Sequence, residues 1–330
     1  MLIEKKNSFR STRFLFLVSG AALALAYVIL IPWNIPNLSS HPHPATDYND
    51  ALRRIDALRE QEAGVAMNPL CTLQFMTHGR KTARTVVLVH GYTNCPQQFR
   101  ELGRRFFERG DNVLIAPLPW HGLADRMNTA QAKLTAGAMA AYADEVVDIG
   151  QGLGERVVMM GISAGGVTTA WAAQNRRDLD CAVVIAPTLG FKPVSVPFTA
   201  AVMNLFSTLP DSWAWWNEEL KENVQPPYGY PRCSKHVITD MLRLGFVVEE
   251  SAMQRPPMAR KIVMVSNAND EAVNNESTQK IADLWKSHGA TVETYTFDAS
   301  LKIGHDIIDP NQPDQKVEVV YPKLIELCGE

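Results

Sequence analysis

The chain has 330 residues, of which 46% are hydrophobic and 20% are charged, as in ordinary globular proteins. This length allows one large α/β domain or two small ones, with a substantial buried core. The formal net charge of -3 and the isoelectric point near 6.3 leave no basic surplus for a phosphate backbone, which argues against nucleic acid as a partner. No spacing of cysteine and histidine residues suggests a metal, and we expect no cofactor.

Residues 1–33 differ in kind from the rest of the chain. Residues 14–31 carry no charge, and as a helix they would span about 27 Å, close to the roughly 30 Å of hydrocarbon in a bilayer. Four basic residues precede this run: Lys5, Lys6, Arg10 and Arg13. The pattern predicts a cytoplasmic stub and a single membrane anchor, with the remaining chain outside the cytoplasm. Small-residue patterns at 22–24 and 24–26 leave open a cleaved signal segment and a secreted or periplasmic protein.

The cysteines do not predict a definite pairing. They are five in number and irregularly spaced: Cys71, Cys95, Cys181, Cys233 and Cys328. An oxidising compartment would allow disulfides among them. Cys181 opens an apolar run and is expected in the core, whereas the pairing of the others stays open.

Residues 34–66 form a region of their own ahead of the main domain at 67–330. Three prolines among polar residues in 34–46 predict an extended tether. Leu52, Ile55 and Leu58 recur at helical spacing, which predicts a short amphipathic helix. That helix would either pack on the domain or space it from a bilayer.

Apolar runs alternate with helical stretches through the rest of the chain, as in a mostly parallel sheet covered on both faces. The predicted strands are 71–76, 85–89, 112–116, 156–160, 181–185, 261–265 and 291–297. The predicted helices are 96–109, 135–150, 164–176, 277–288 and 315–327. Several strands are continuous Val, Ile, Leu and Met, which is typical of strands buried on both faces. The sequence therefore predicts the α/β class.

Residues 188–260 break this alternation and are interpreted as an inserted, mainly helical cap. The interval has no clear core strand but is rich in aromatic residues: Trp213, Trp215, Trp216, Tyr228 and Tyr230. Helices are predicted at 197–207, 211–222 and 235–244, with prolines between them. Most of these aromatic side chains are expected to hold the cap to the body, and one or two to line a pocket.

The strongest chemical signal is Gly161-Ile162-Ser163-Ala164-Gly165, placed directly between a predicted strand and a predicted helix. A serine hydroxyl is a weak nucleophile and needs a sharp turn that presents it to a base. The flanking glycines permit that turn, and Ser163 is the predicted nucleophile. The nearby stretch 150–154 has glycine spacing similar to a dinucleotide loop, but it precedes its strand and is interpreted as a plain turn.

A second motif, His90-Gly91-Tyr92-Thr93-Asn94, follows the predicted strand 85–89. Acyl transfer develops negative charge on a carbonyl oxygen, which two backbone N–H groups can stabilise. The donors predicted here are Tyr92 and Ala164. His90 is then expected to brace the loop, with catalytic base as its alternative role.

These two motifs, together with Pro119-Trp120-His121-Gly122, resemble the α/β-hydrolase fold over about residues 70–330. The likeness is to bacterial carboxylesterases and monoacylglycerol-lipase-like enzymes. It implies a triad in the order nucleophile, acid and histidine. The acid implied by the resemblance is Asp270, with Glu271 as its rival, and the histidine after the last strand is His305.

The sequence therefore predicts a serine hydrolase that cleaves short to medium acyl esters or monoacylglycerol-like lipids through an acyl-enzyme. An amide or peptide hydrolase with the same triad is the first alternative, because the chemistry is shared. A noncatalytic binding module of the same fold is the second. The expected partners are a small acyl ester or lipid and, through the N-terminal segment, a membrane.

Overall fold

The computed structural model describes residues 27–329, so most of the predicted anchor, 14–31, lies outside the described residues. No helix within 27–329 is long and apolar enough to cross a bilayer. The described chain confirms the predicted α/β class. It forms a sheet of seven strands covered by helices on both faces.

The sheet has the spatial order β1-β3-β2-β4-β5-β8-β9. The strands are β1 Gln74–Met76, β2 Thr82–Val89, β3 Asn112–Ile115, β4 Gly154–Ile162, β5 Cys181–Ile185, β8 Lys261–Asn267 and β9 Val292–Phe297. Only β1 is antiparallel to its neighbour, and it is shorter than the predicted strand 71–76. The central strands are almost entirely buried, in agreement with their continuous apolar sequences.

Two hydrophobic clusters lie on opposite faces of the sheet, because alternate residues of each strand point to opposite sides. The helices are α1 Tyr48–Ala63, α2 Arg100–Glu108, α3 Ala136–Leu153, α4 Ala164–Asn175, α5 Thr199–Thr208, α6 Lys235–Gln254, α7 Asn275–Ser287 and α8 Val317–Leu327. One cluster holds α3, α4, α6 and α7, with α1 packed outside α3. The other holds α2 and α8. A core of this extent keeps the strand ends fixed.

The parallel register brings the carboxyl ends of four strands to one edge. Val89 pairs with Gly161, Ile162 with Ile185, and Ile185 with Val265. The loops after β2, β4, β5 and β8 therefore begin side by side. Ligands of open α/β sheets bind at this edge, and these loops carry the predicted site residues.

The cap between β5 and β8 contains less helix than predicted. Helices α5 and α6 correspond to two of the three predicted helices, and α6 continues to Gln254, ten residues beyond its predicted end. The predicted helix at 211–222 is wrong. Trp213–Trp215 is instead a strand, β6, which pairs antiparallel with β7, Arg232–Ser234. Pairing with a segment about twenty residues away overrode the local apolar spacing.

Residues 150–154 do not form the turn that was predicted for them. Helix α3 continues through it to Leu153, and β4 starts at Gly154. Gly150 and Gly152 let the helix approach its neighbours, because a Cβ on Gly152 would collide with the backbone of Asp47. This stretch therefore has a packing role at the contact between α3 and the N-terminal region.

The predicted tether is extended but is held against the body. Asp144 of α3 accepts hydrogen bonds from Ser40 Oγ and from the backbone N–H of His41, at 2.5 and 2.7 Å. Asp148 accepts one from the backbone N–H of His43 at 2.8 Å. The predicted helix at 52–60 is confirmed as α1, and its buried Ile55 packs on the domain. These contacts make the segment part of the folded body.

Candidate active site

Ser163 stands at the turn between β4 and α4. Its φ of 58° and ψ of -114° are an unusual conformation for a residue with a side chain. The backbone N–H of Ser163 donates to Ile185 O at 3.0 Å, which ties the turn to the neighbouring strand. Strain of this kind survives only where the surrounding structure fixes it, and it projects the hydroxyl outward.

The glycines of the motif allow this turn to pack closely. A Cβ on Gly161 would collide with Gly165 O, and a Cβ on Gly165 would collide with Val89 O. The turn is therefore pressed against both the start of α4 and the end of β2. No larger residue fits at either position without displacing backbone.

His305 and Asp270 come together at the same edge of the sheet. His305 Nδ1 lies 2.8 Å from Asp270 Oδ2. The other oxygen, Oδ1, accepts from the backbone N–H groups of Ala272 and Val273 at 2.9 Å each. Asp270 is buried, whereas Glu271, the rival acid, is exposed. The carboxylate that can orient the imidazole is therefore that of Asp270.

The surroundings of Asp270 and His305 favour an ionised carboxylate and a basic imidazole. Burial opposes ionisation of Asp270, but hydrogen bonds from His305, Val273 and Ala272 outweigh it and lower its pKa. Burial also disfavours the imidazolium of His305. The hydrogen bond to Asp270 and the negative charges of Asp270 and Asp306 outweigh that and raise the pKa of His305. A basic imidazole of this kind suits proton abstraction from a serine hydroxyl.

Ser163 and His305 face one pocket. His305 Nε2 is buried and has no hydrogen-bond partner among the described residues, so this nitrogen is free to act on a group in the pocket. Ser163 Oγ lies 3.3 Å from Thr188 Oγ1, and the backbone N–H of Thr188 donates to Ser163 O. Thr188 was not predicted as a site residue. Its only sequence signal is its position just after β5.

The loop after β2 closes against the serine. A Cβ on Gly91 would lie only 3.6 Å from the Cβ of Ser163, and the N–H of Gly91 is held by Gln98 Oε1 at 2.9 Å. Tyr92 lines the same pocket. Ala164 is the first residue of α4, so its N–H has no acceptor within the helix. Ala164 therefore follows Ser163 directly with a free N–H group, and Tyr92 lines the pocket that Ser163 faces.

Two buried histidines support this loop. His90 Nδ1 contacts Gly91 O at 2.8 Å, while Nε2 accepts the N–H of Leu118 at 2.9 Å. Burial lowers the pKa of His90 to about 3, so the ring stays neutral and braces two loops. His121 contacts the carbonyl oxygens of Tyr92 and Pro119. Neither ring lines the pocket that holds Ser163, which speaks against His90 as the base.

The pocket is small and is partly covered by the cap. The space open to water-sized molecules is about 80 Å³. The cap contributes Trp216, Tyr230, Cys233 and Met241 to its lining. The ring of Trp216 lies 6.2 Å from that of His305 and is half exposed. Of the five aromatic residues noted in the cap sequence, Trp216 and Tyr230 therefore line the pocket.

Asp306 is the one acidic residue among the described residues that line this pocket, and no Lys or Arg accompanies it there. Its Oδ2 accepts from Asn94 Nδ2 at 3.2 Å and from Gln312 Nε2 at 3.0 Å. Its Oδ1 accepts from the N–H groups of Ile308 and Asp309 at 3.1 Å each. Four donors thus occupy this carboxylate.

Comparison with known families agrees with this geometry. A family model described as serine aminopeptidase, S33 (Hydrolase_4) matches residues 80–297. The chain belongs to this hydrolase family. The match covers the turn at Ser163, the loop that contains Tyr92 and the predicted acid Asp270, and it ends shortly before His305. No curated protein matches the hydrolase in sequence at a significant level.

Solved structures share the fold at low sequence identity. A metagenome-derived lipolytic enzyme, from work on LipS and LipT, has 19% identity and a TM-score of 0.55, covering 79% of this chain and 98% of its own. The monoacylglycerol lipase of Paleococcus ferrophilus has 17% identity and a TM-score of 0.56, covering 77% and 96%. Est1E of Butyrivibrio proteoclasticus, solved with ferulic acid, has 15% identity and a TM-score of 0.51, covering 78% and 94%. These likenesses confirm the α/β-hydrolase fold.

Proposed function

We propose that the protein is a serine esterase that hydrolyses carboxylic esters with short to medium acyl groups. The observation that carries the proposal is the hydrogen-bonded pair of Asp270 and His305, whose free Nε2 faces the pocket that also holds Ser163. A serine on a strained turn, a basic imidazole and a buried carboxylate are the parts that acyl transfer requires. The lipolytic enzymes and esterases among the structural neighbours support the same chemistry.

In the proposed mechanism His305 acts first as a base and then as an acid. Nε2 takes the hydroxyl proton as Ser163 Oγ attacks the ester carbonyl, and the N–H groups of Tyr92 and Ala164 stabilise the oxyanion. The imidazolium, held by Asp270, then gives the proton to the departing alcohol and leaves an acyl-enzyme. Water, deprotonated by His305, releases the acid and restores the hydroxyl.

The pocket favours an uncharged substrate. With no Lys or Arg among its described lining residues, it offers no partner for a carboxylate or phosphate near the reacting bond. Its volume of about 80 Å³ suits a short acyl group. A longer chain, such as that of a monoacylglycerol, requires the cap residues that line the pocket, Trp216 among them, to move outward.

The amide or peptide alternative draws support from the aminopeptidase description of the family. An aminopeptidase has to recognise the protonated amine at the end of its substrate, which calls for a free carboxylate in the pocket. Asp306 is the one described candidate, and four donors already fill its acceptor positions. The site therefore supports ester hydrolysis better than removal of an N-terminal residue.

A fluorophosphonate probe tests the catalytic proposal. We expect the full-length protein in detergent to be labelled and to hydrolyse p-nitrophenyl acetate and butyrate, whereas Ser163→Ala and His305→Ala lose labelling and turnover. Aminoacyl-p-nitroanilides tested alongside should be poor substrates. Efficient cleavage of these anilides with little ester turnover would favour the amide alternative.

The control has to separate loss of chemistry from loss of fold. Ser163→Ala removes one oxygen from a half-buried side chain, so its thermal unfolding should match that of the wild type. A folded wild type that stays unlabelled would instead support the noncatalytic binding module. Substantial ester turnover by Ser163→Ala would contradict the assignment of the nucleophile.

A further inference from the structure

The cap carries an exposed apolar stripe on helix α5. Phe198, at the N-cap of α5, and Leu205 within it are each 55% exposed, and Leu209, just past its end, is 49% exposed. With partly buried Val202 they follow a spacing of four, three and four residues, which places them on one face of the helix. Buried Ala200 and Met203 lie on the side turned to the body. The stripe has no partner within the described residues.

The N-terminal segment meets this helix directly. Asn204 Nδ2 donates to the carbonyl oxygens of Ile29 and Ile31, at 3.1 and 2.7 Å. Asn204 Oδ1 accepts the backbone N–H of Trp33 at 2.9 Å. Both the amide nitrogen and the amide oxygen of Asn204 are thus hydrogen-bonded to residues 29–33. The chain enters the described structure beside α5.

Exposed apolar side chains are frequent on both sides of this junction. Eight of the fifteen exposed large apolar side chains in the described part of the chain fall in two segments, 27–31 and 198–209. Residues 27–31 end the uncharged run 14–31, most of which lies outside the described structure. Hydrogen bonds to Asp144 and Asp148 fix residues 40–43 on the body, so little slack separates this run from the domain.

The segment that contains α5 carries no charge of its own. No charged residue occurs between Lys192 and Asp211. Asp211 is exposed, and its carboxylate accepts from Ser234 Oγ and the N–H of His236. Lys192 is exposed, and the ammonium of Lys235 lies 5.6 Å from the Phe206 ring. Apolar side chains flanked by lysines suit lipid tails and headgroups.

We propose that the stripe on α5 rests in the lipid headgroup and acyl boundary, so that this side of the cap is held at the membrane surface. The binding partner of the stripe in this proposal is a phospholipid bilayer. This surface does not depend on the catalytic proposal, because lipid contact is measured without turnover.

Site-specific fluorescence tests this surface. The wild-type cysteines do not interfere, because Cys71 and Cys95 form a disulfide and the other three thiols are buried. Full-length Leu205→Cys and Phe198→Cys would carry an NBD dye and be mixed with vesicles of phosphatidylcholine and phosphatidylglycerol. Nitroxide-labelled phospholipid should quench roughly half of the fluorescence at both positions.

Val319→Cys is the matched control. Val319 is 46% exposed on α8, which packs on the opposite face of the sheet from the helix that supports α5. Its dye should be quenched by aqueous iodide and not by the nitroxide lipid. Equal lipid quenching at 205 and 319, or no association with vesicles, would overturn the proposal. Protection of position 205 from both quenchers would also overturn it, in favour of a cover formed by residues of this chain.

Discussion

Asp270 and Glu271 are adjacent in sequence, but their carboxylates differ in burial and in hydrogen-bond partners. Asp270 is buried, accepts two backbone N–H groups and pairs with His305. Glu271 is exposed to solvent, where a carboxylate interacts weakly with its neighbours. Only the buried one can fix the tautomer and orientation of the imidazole.

We expect Asp270→Asn to lower kcat/KM for p-nitrophenyl butyrate by about 10³- to 10⁴-fold, because the amide can no longer stabilise the imidazolium. Glu271→Gln removes a negative charge one residue away and should retain near wild-type activity. Circular dichroism spectra of both variants should match that of the wild type. A larger loss in the Glu271 variant than in the Asp270 variant would reverse the assignment of the acid.

Asp306 acts on the same histidine through its charge. His305 has to be neutral to take a proton, so activity falls as pH drops through its raised pKa. Asp306→Asn removes a negative charge that favours the imidazolium, so the pKa of His305 should fall. We expect the acidic limb of the kcat/KM profile to move to lower pH by about half a unit. Glu271→Gln serves again as the control, and a shift to higher pH in Asp306→Asn would contradict this electrostatic role.

Sequence motifs identify residues whose positions are fixed by the local backbone conformation. The turn around Ser163 needs glycines at fixed positions, and such a requirement is visible in sequence. Asp270 and His305 followed from the order of a family that the motifs resembled. Thr188, Trp216 and the donors to Asp306 carry no such pattern, because they reach the pocket from separate elements through tertiary packing.

At the scale of elements, buried strands were the most predictable part of the fold. Strand-like runs predicted six parallel strands, and the central ones are the clearest, because a strand covered on both faces has to be apolar throughout. The short segment 213–215 lies within a helix that is predicted at 211–222, between the prolines of the cap. Its strand exists only through pairing with 232–234, a contact that local sequence does not encode.

A buried ion network joins α3, α4 and the N-terminal segment. Arg176, fully buried just after α4, contacts Asp144 Oδ1 at 3.0 Å, Asp148 Oδ1 at 2.5 Å and Asp178 Oδ2 at 2.7 Å. Asp144 and Asp148 also hold the backbone of His41 and His43. Removing the guanidinium would leave these carboxylates close together without their cation.

We therefore expect Arg176→Ala to lower the free energy of unfolding by about 3–5 kcal/mol, as when one partner of a buried ion pair is removed. Amide hydrogen exchange at residues 40–45 should accelerate, because the carboxylates that hold the segment lose their counter-charge. The neighbouring Arg177 is exposed, and Arg177→Ala should change stability by less than about 0.5 kcal/mol. Equal stability of the two variants would show that the network contributes little.

At the scale of the whole molecule, the disulfide between Cys71 and Cys95 links parts of the chain that are distant in sequence. Cys71 precedes the edge strand β1, and Cys95 follows the oxyanion loop. Both pack against Tyr228 of the cap, whose hydroxyl donates to Asp309, four residues after His305. The bond thus links the N-terminal region, the oxyanion loop and the cap. Disulfides persist in oxidising compartments, which supports the proposal of an extracytoplasmic domain.

A bridge across a sequence separation of 24 residues restricts the unfolded chain by about 3 kcal/mol. We expect dithiothreitol to lower the wild-type free energy of urea unfolding by about this amount, and the number of titratable thiols in the unfolded chain to rise from three to five. The double variant Cys71→Ser/Cys95→Ser should already have the lower stability and show no response to reductant. Esterase activity in folded wild type should fall on reduction, because Cys95 anchors the loop that carries Tyr92. Five titratable thiols before reduction would show that the bond does not form.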